Sequence, residues 1–371
     1  MVEPVRVVEP LRVGVVGCGT ISDQYLTTLA RLPEVDVVAV TDREPDRARS
    51  TAERYGTSAV TPEQFHALPQ VEWVLNLTTP QHHLAVALEA VAHGRSVYNE
   101  KPLCLSLADA RQLLAAARTA EVTVACAPDT VLGTGTQTAR RAIEDGLIGR
   151  PVAATATMAT PGHERWHPAP DFYYAAGGGP LLDMGPYYLS ALVTLLGPIA
   201  TVSGLGSRSR AVRTIATGPR AGATVPVSVD THVTALLRHT SGAITTLLVS
   251  FDAAATRSAP IEVHGELGSL VVPDPNRFDG ETLLHPVGGT WQPLPVSGGY
   301  TAAGRGYGLA DVARSADRAT ARAGAGLAVH VLDVMECVLS SIDAGGAPVP
   351  TRTECTVPDA VPLTTLAPDA G

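Results

Sequence analysis

Aromatic residues are scarce in this chain: three tryptophans, nine tyrosines and four phenylalanines make up 4% of 371 residues. Any core must therefore be mainly aliphatic. The 45% apolar content is enough for a substantial one and argues against global disorder. Cysteine is sparse too. Cys18, Cys104, Cys126, Cys337 and Cys355 form an odd, scattered set without a C-x-x-C pair, so neither a disulfide framework nor a zinc site is expected. Basic residues are in deficit, 27 against 36 acidic ones, for a net charge of −9. Nucleic acid and anionic membranes demand clustered Lys and Arg, so neither is expected as a partner. No apolar run reaches the ~18 residues of a membrane span, and Met1-Val2-Glu3-Pro4 does not open a signal peptide. The expectation is a cytoplasmic protein of two ordinary-sized domains.

What is present begins as a regular alternation. Leu11–Val16, Val35–Val40, Val71–Leu77, Ser96–Tyr98 and Val122–Cys126 read as apolar strands. Thr20–Leu32, Pro45–Tyr55, Gln81–His93 and Leu107–Ala120 read as the helices between them. Pro45 suits a first helical turn, where a missing N–H is harmless, and Ser106 is placed to cap the last helix. Buried strands alternating with helices predict an α/β fold over residues 1–127, a doubly wound parallel sheet. Over 128–371 the pattern changes. A helix near Thr136–Asp145 and an irregular stretch from Pro161 to Gly179 precede one long helix, Leu182–Leu196. Successive strand-like runs follow (His232–Arg238, Ile244–Phe251, Ile261–His264, Ser269–Val272), then two helices, Tyr307–Ala316 and Gly326–Ile342. That order predicts an α+β domain on an open, largely antiparallel sheet. Such a sheet leaves apolar runs such as Ala243–Val249 uncovered, so a homodimer or homotetramer is expected. The tail beyond Pro358 is expected to be loosely attached.

Gly17-Cys18-Gly19-Thr20-Ile21-Ser22 joins the first strand to the first helix as a G-x-G-x-x-[small] turn. The first glycine tightens the turn and the second lets backbone approach a pyrophosphate. The helix start at Thr20 and Ile21 directs N–H groups toward it. Asp42 ends the second strand, where a carboxylate accepts from ribose hydroxyls and repels a 2′-phosphate. This favours NAD, while Arg43 beside it leaves NADP open. Thr78, Pro80 and His83 follow the third strand on the cofactor side, with His83 expected to contact the cofactor. Glu100-Lys101-Pro102 follows the fourth strand and aims a lysine into the same crevice. His163-Glu164-Arg165-Trp166-His167 spells H-E-x-x-H, the zinc-protease helix motif. Pro161, Pro168 and Pro170 deny it a continuous helix, so no metal is expected, and Trp166 and His167 become candidates for covering a polar substrate. Asp183 and Tyr187 are four apart and share a helix face. An acid and a phenol opposite a lysine form a proton-transfer group.

In their order and spacing, Gly17–Ser22, Pro80–His83, Glu100-Lys101-Pro102 and Gly177–Tyr187 resemble the glucose–fructose oxidoreductase, inositol dehydrogenase and rhizopine-catabolism (Gfo/Idh/MocA) oxidoreductases. The resemblance implies a Rossmann domain followed by an open-sheet domain, with NAD(P) as cofactor. It implies hydride transfer between nicotinamide and a sugar, cyclitol or related polyol. It places Lys101 at the family's catalytic lysine and Asp183 at its characteristic acid. Many members carry D-x-G-x-H-x-x-D; here Tyr187 replaces the histidine and Ser190 the second acid. A tyrosine at this place is similar to glucose–fructose oxidoreductase and the dimeric dihydrodiol dehydrogenases, and it weighs against an inositol dehydrogenase. On this reading Tyr187 exchanges the hydroxyl proton, moved toward phenolate by Lys101, while Asp183 orients Lys101 and the substrate. Two alternatives share the scaffold: an NAD-dependent glycoside hydrolase, and a non-catalytic binding protein responsive to sugar and NAD(P).

Overall fold

The computed structural model describes residues 9–315 and 321–365. Its first part is a parallel sheet in the order β3-β2-β1-β4-β5-β6. The strands are β1 (Leu11–Val16), β2 (Val35–Thr41), β3 (Ser58–Ala59), β4 (Trp73–Asn76), β5 (Ser96–Asn99) and β6 (Val124–Cys126). Helices α1 (Ser22–Leu29), α2 (Pro45–Tyr55), α3 (Pro62–Ala67), α4 (His83–Ala92) and α5 (Leu107–Thr119) cover its faces. The central strands bury both faces: Leu11, Val13, Val15, Val74, Leu75, Val97 and Tyr98 are inaccessible, as a sheet clothed on two sides requires. Strand order reverses at β1 and β4, so a crevice opens beyond their carboxyl ends, at Gly17 and Thr78. The sequence reading omits β3 and α3, which are too short for periodicity to register. Thr61 and Gln64 cap α3 reciprocally, and Phe65 from it fills the space beside Gly14.

The second part is a nine-stranded sheet in the order β16-β15-β14-β13-β7-β12-β11-β8-β17. Helix α6 (Thr134–Glu144) leads into β7 (Pro151–Ala159); a single turn α7 (Asp171–Tyr174) and the long α8 (Pro180–Leu196) follow. Then come β8 (Ile199–Ser207), β9 (Val212–Thr214), β10 (Thr224–Pro226), β11 (His232–His239), β12 (Ile244–Ser250), β13 (Ile261–Gly265), β14 (Gly268–Val272), β15 (Leu283–Pro286) and β16 (Gln292–Pro293). Helices α9 (Tyr307–Arg314) and α10 (Ala325–Asp343) and strand β17 (Val349–Pro350) complete it. β7 and β12 pair in parallel and the other pairings in the sheet are antiparallel. β9 and β10 form a separate hairpin. One sheet face, with Val202, Leu237 and Leu247 buried, packs on α8 and α10. On the other face Leu205, Leu236 and Ile244 stay 63%, 53% and 42% exposed. α10 is long and apolar enough to cross a membrane. Here Val331, Val334, Met335 and Val338 from it are core residues.

One expectation needs revision. The tail is held through Thr364: Val361 is buried, its N–H donates to Gln137 Oε1, and Thr364 exchanges backbone bonds with Gly299 and Thr301. The late helices touch both sheets: α10 packs on β8 and α8 and also reaches β6, and α9 lies beside β2. Cys126 N–H donates to the Ala323 carbonyl at 2.9 Å, and Arg314 pairs with Glu34. Ala316, where the sequence ends the first of these helices, lies outside the described residues.

Candidate active site

Beyond the carboxyl ends of β1, β2 and β4 lies a cavity of about 340 Å³, lined in part by Gly17, Gly19, Asp42, Arg43, Thr78 and His82. Gly17 has φ +101°, and a Cβ there would meet the Leu77 carbonyl at 2.9 Å; only glycine fits. A Cβ on Gly19 would meet nothing within 4 Å, so backbone faces open space there. Thr20 lines an open groove that continues past Gly19, and Ile21 caps α1. Asp42 Oδ2 accepts the Cys18 N–H and Oδ1 the Glu44 N–H, each at 2.8 Å, tying the glycine turn to β2. A carboxylate has about four acceptor positions, so two remain for a ligand. Arg43 is largely exposed, and Arg47 and His66, neither marked by the sequence, also line the cavity. A glycine cradle at a helix start, with an acceptor at the end of β2, fits a dinucleotide's pyrophosphate and ribose.

Not every expected contact reaches this cavity. His83 is fully buried, its Nδ1 2.7 Å from the Pro102 carbonyl and its Nε2 3.0 Å from that of Thr78. Burial pulls its pKa below the ordinary value against both carbonyls. His83 therefore clamps the loop after β4 to the loop after β5, and His82 takes the cavity wall. The cause is a 3₁₀ turn at Pro80–His82, which delays α4 until His83 and leaves Pro80 outside the wall. Glu100 is also committed inward: Oε1 accepts the Tyr25 hydroxyl at 2.8 Å and Oε2 the Lys101 N–H at 2.6 Å. It positions the lysine. Asn76 and Asn99, both inaccessible, brace these loops through an amide–amide bond of 3.0 Å.

Lys101 reaches across to the second part of the chain. Its Nζ lies 2.8 Å from Asp183 Oδ1 and 2.7 Å from the Asp183 carbonyl, with both side chains 15% exposed. Burial alone would lower the Lys101 pKa, but Asp183, Tyr187 and Glu100 outweigh it and hold the ammonium well above its ordinary range. Burial would likewise raise Asp183, yet Lys101 and His163 hold its carboxyl well below the usual range. His163 Nε2 takes the other Asp183 oxygen, Oδ2, at 2.8 Å. Tyr187 is buried on the same helix. Lys101 Nζ stands over its ring face at 5.1 Å, and Arg305 Cζ lies 5.3 Å from the ring centre. The expected shift toward phenolate is reversed: burial outweighs Lys101 and Arg305, and the phenol is pushed up.

The H-E-x-x-H stretch divides its side chains. His163–Arg165 is one 3₁₀ turn, so the two histidines do not share a helix face. Glu164 turns to the buried Arg213 at 3.1 Å and to the Tyr174 hydroxyl. Trp166 is 58% exposed, with its ring 5.1 Å from His163 and 5.4 Å from His167. His167 Nδ1 accepts the Ala169 N–H, and burial lowers its pKa. Trp166 and His167 thus border the cluster, while His163 joins it. The signal for His163 was the motif itself, set aside along with zinc. No local pattern marked Arg305, which donates to Gln24 and Asn276 from the loop before α9.

Comparison with known proteins agrees with this geometry. Residues 11–127 match a family model described as an oxidoreductase family with an NAD-binding Rossmann fold, and residues 136–271 match the GFO/IDH/MocA C-terminal domain. A 1,5-anhydro-D-fructose reductase from Ensifer adhaerens is 29% identical over 275 residues, 70% of this chain and 75% of that protein. A dTDP-3,4-didehydro-2,6-dideoxy-alpha-D-glucose 3-reductase from Streptomyces violaceoruber is 33% identical over 220 residues, 57% of this chain and 62% of that one. The fold matches the crystal structure of an NAD binding oxidoreductase from Klebsiella pneumoniae with a TM-score of 0.79 at 23% identity, covering 93% of this chain and all of that one. The chain belongs to the Gfo/Idh/MocA family of oxidoreductases, with an NAD-binding Rossmann domain.

Proposed function

We propose that this oxidoreductase transfers a hydride between a nicotinamide dinucleotide and a carbinol or carbonyl carbon of a sugar, cyclitol or related polyol. The observation that carries the reading is the Lys101–Asp183 pair, formed between the carboxyl end of β5, in the sheet that carries the dinucleotide cavity, and the first turn of α8. The cofactor, when bound, supplies the two-electron chemistry. Lys101, held as ammonium, donates to the reacting oxygen. Asp183 fixes that ammonium and offers its remaining acceptor positions to substrate hydroxyls. Tyr187 lines the same centre as a neutral phenol, and Trp166 supplies an apolar face for a sugar ring. The sugar-derived names of the two reductases described above favour this substrate class.

Steady-state assays with a panel of aldoses, ketoses, inositols and sugar lactones, following NADH in both directions, test it. At least one compound should turn over, with Asp183→Asn slower by roughly 10²-fold or more. Ligand-induced stabilisation without turnover anywhere in the panel would favour a binding protein. Glycoside cleavage with no net NADH would favour the hydrolase.

A further inference from the structure

None of the three residues that the sequence marks for chemistry offers a free proton acceptor. Lys101 is held as an ammonium, which only donates. Asp183 still accepts hydrogen bonds, but Lys101 on one oxygen and His163 on the other hold it ionised, so it takes no proton. Tyr187 is held as the neutral phenol, burial outweighing its two cationic neighbours. His163 differs. Its Nε2 lies 2.8 Å from Asp183 Oδ2. An ionised carboxylate only accepts, so Nε2 carries a hydrogen, and in the neutral imidazole that leaves Nδ1 bare. Nδ1 then presents a lone pair. It is buried without a hydrogen-bond partner, in a residue only 7% exposed. A buried acceptor left unpaired is unfavourable and calls for an explanation.

The turn carrying His163 is held with some care. The His163 N–H donates to the Tyr174 hydroxyl at 3.0 Å, and that hydroxyl donates to Glu164. Arg213, 2% exposed, binds Glu164 and Asp252 from behind. The imidazole is enclosed by Tyr173 and Phe251, each ring centre 4.3 Å away, and by Trp166. The titratable groups facing it are Asp183 on α8, Tyr173 and Tyr174 on α7 and His167 on its own loop. Lys101 binds the other Asp183 oxygen, and the Glu164–Arg213 pair braces the turn.

We propose that His163, through Nδ1, takes the substrate hydroxyl proton in oxidation and returns it in reduction, with Asp183 as its positioning carboxylate. The proposal rests on the oxidoreductase reading above. A carboxylate orienting an imidazole is the arrangement that general-base catalysis uses elsewhere. In oxidation the O–H bond breaks and an N–H bond forms at Nδ1. The O–H electron pair becomes the carbonyl π bond. The carbon's hydrogen leaves with its pair to an oxidised nicotinamide dinucleotide, so the two electrons and the proton are all accounted for.

The test uses the full chain as His163→Ala, His163→Asn and Tyr187→Phe. His163→Ala should lower kcat by roughly 10²- to 10⁴-fold while its NADH dissociation constant, read by fluorescence, changes less than about threefold. Added imidazole should restore its rate at least about tenfold, and more basic azoles should restore more. His163→Asn keeps a donor toward Asp183; it should give a native circular dichroism spectrum and a comparable loss. Nitrogen-15 spectra of the neutral imidazole, which need no substrate, should show Nε2 protonated and Nδ1 bare. The opposite tautomer overturns the proposal. So does a His163→Ala loss that no azole rescues, or a Tyr187→Phe loss exceeding that of His163→Ala. A wild type that transfers no hydride to any carbohydrate sinks the underlying reading instead, and the nitrogen spectrum still reads the tautomer.

Discussion

Asp183→Asn separates what the buried pair does for stability from what it does for chemistry. The carboxylate accepts from Lys101 on Oδ1 and from His163 on Oδ2, with its side chain 15% exposed. An amide has one acceptor oxygen and one NH₂. It can satisfy Lys101 or His163, and then turns a donor on the other. Breaking a buried ion pair from one side costs about 3–5 kcal/mol. Removing both charges, as Lys101→Met with Asp183→Leu, strands no ion and leaves only the His163 Nε2–H without its acceptor. That residue should cost about 1–3 kcal/mol. Urea unfolding followed by circular dichroism should therefore rank the double variant above Asp183→Asn in stability, although both turn over at least roughly 10²-fold more slowly than wild type. A single variant within about 1 kcal/mol of wild type, or a double variant no more stable than the single, would show that no buried ion is stranded.

The same pair sets a pH dependence. Asp183 is held below its ordinary value, so its contribution is complete above the usual carboxylate range and fades as pH falls toward its folded value; Lys101 is held above its own, so its contribution persists until pH climbs past the ordinary lysine range. The stability gap between wild type and Asp183→Asn should be flat from about pH 5 to 9 and narrow below about pH 4; a gap that widens in acid contradicts the assignment. With Asp42 at the end of β2, Michaelis constants should favour NAD over NADP by about tenfold or more, roughly 1.4 kcal/mol, and the reverse preference would hand the site to Arg43 and Arg47. The exposed Leu205, Leu236 and Ile244 lie on one face of three neighbouring strands, so light scattering should find a dimer or larger, and Leu236→Arg should dissociate it; a monomeric wild type would remove this role for the face.

The legible parts of this fold are those with long-range periodicity. Buried strands such as Leu11–Val16 and the helix Pro45–Tyr55 announce themselves through spacing and end signals, and the glycine turn, Asp42 and Lys101 follow from where those elements stop. The illegible parts depend on one-residue geometry. Whether His82 or His83 meets the cavity turns on a single 3₁₀ turn, which periodicity does not register. His163 stood in plain view inside H-E-x-x-H, yet its partner Asp183 is twenty residues away and meets it only once Glu164 and Arg213 fix the intervening loop. Arg305 approaches Tyr187 from the far end of the chain, and nothing in its neighbours Gly304 and Gly306 forecasts that packing.

If Lys101 and Asp183 mark the point where hydride moves to or from a carbohydrate carbon, an isotope on that carbon must follow the hydride. The most direct measurement is isotopic. A sugar or cyclitol that turns over is prepared with deuterium at the reacting carbon, incubated with NAD, and the NADH is analysed by mass spectrometry and proton NMR. One deuteron per NADH should appear at nicotinamide C4, delivered to one face, with delivery abolished in Lys101→Met although that variant still binds NADH. Unlabelled NADH from the labelled substrate, or undiminished deuteron delivery by Lys101→Met, would contradict this assignment.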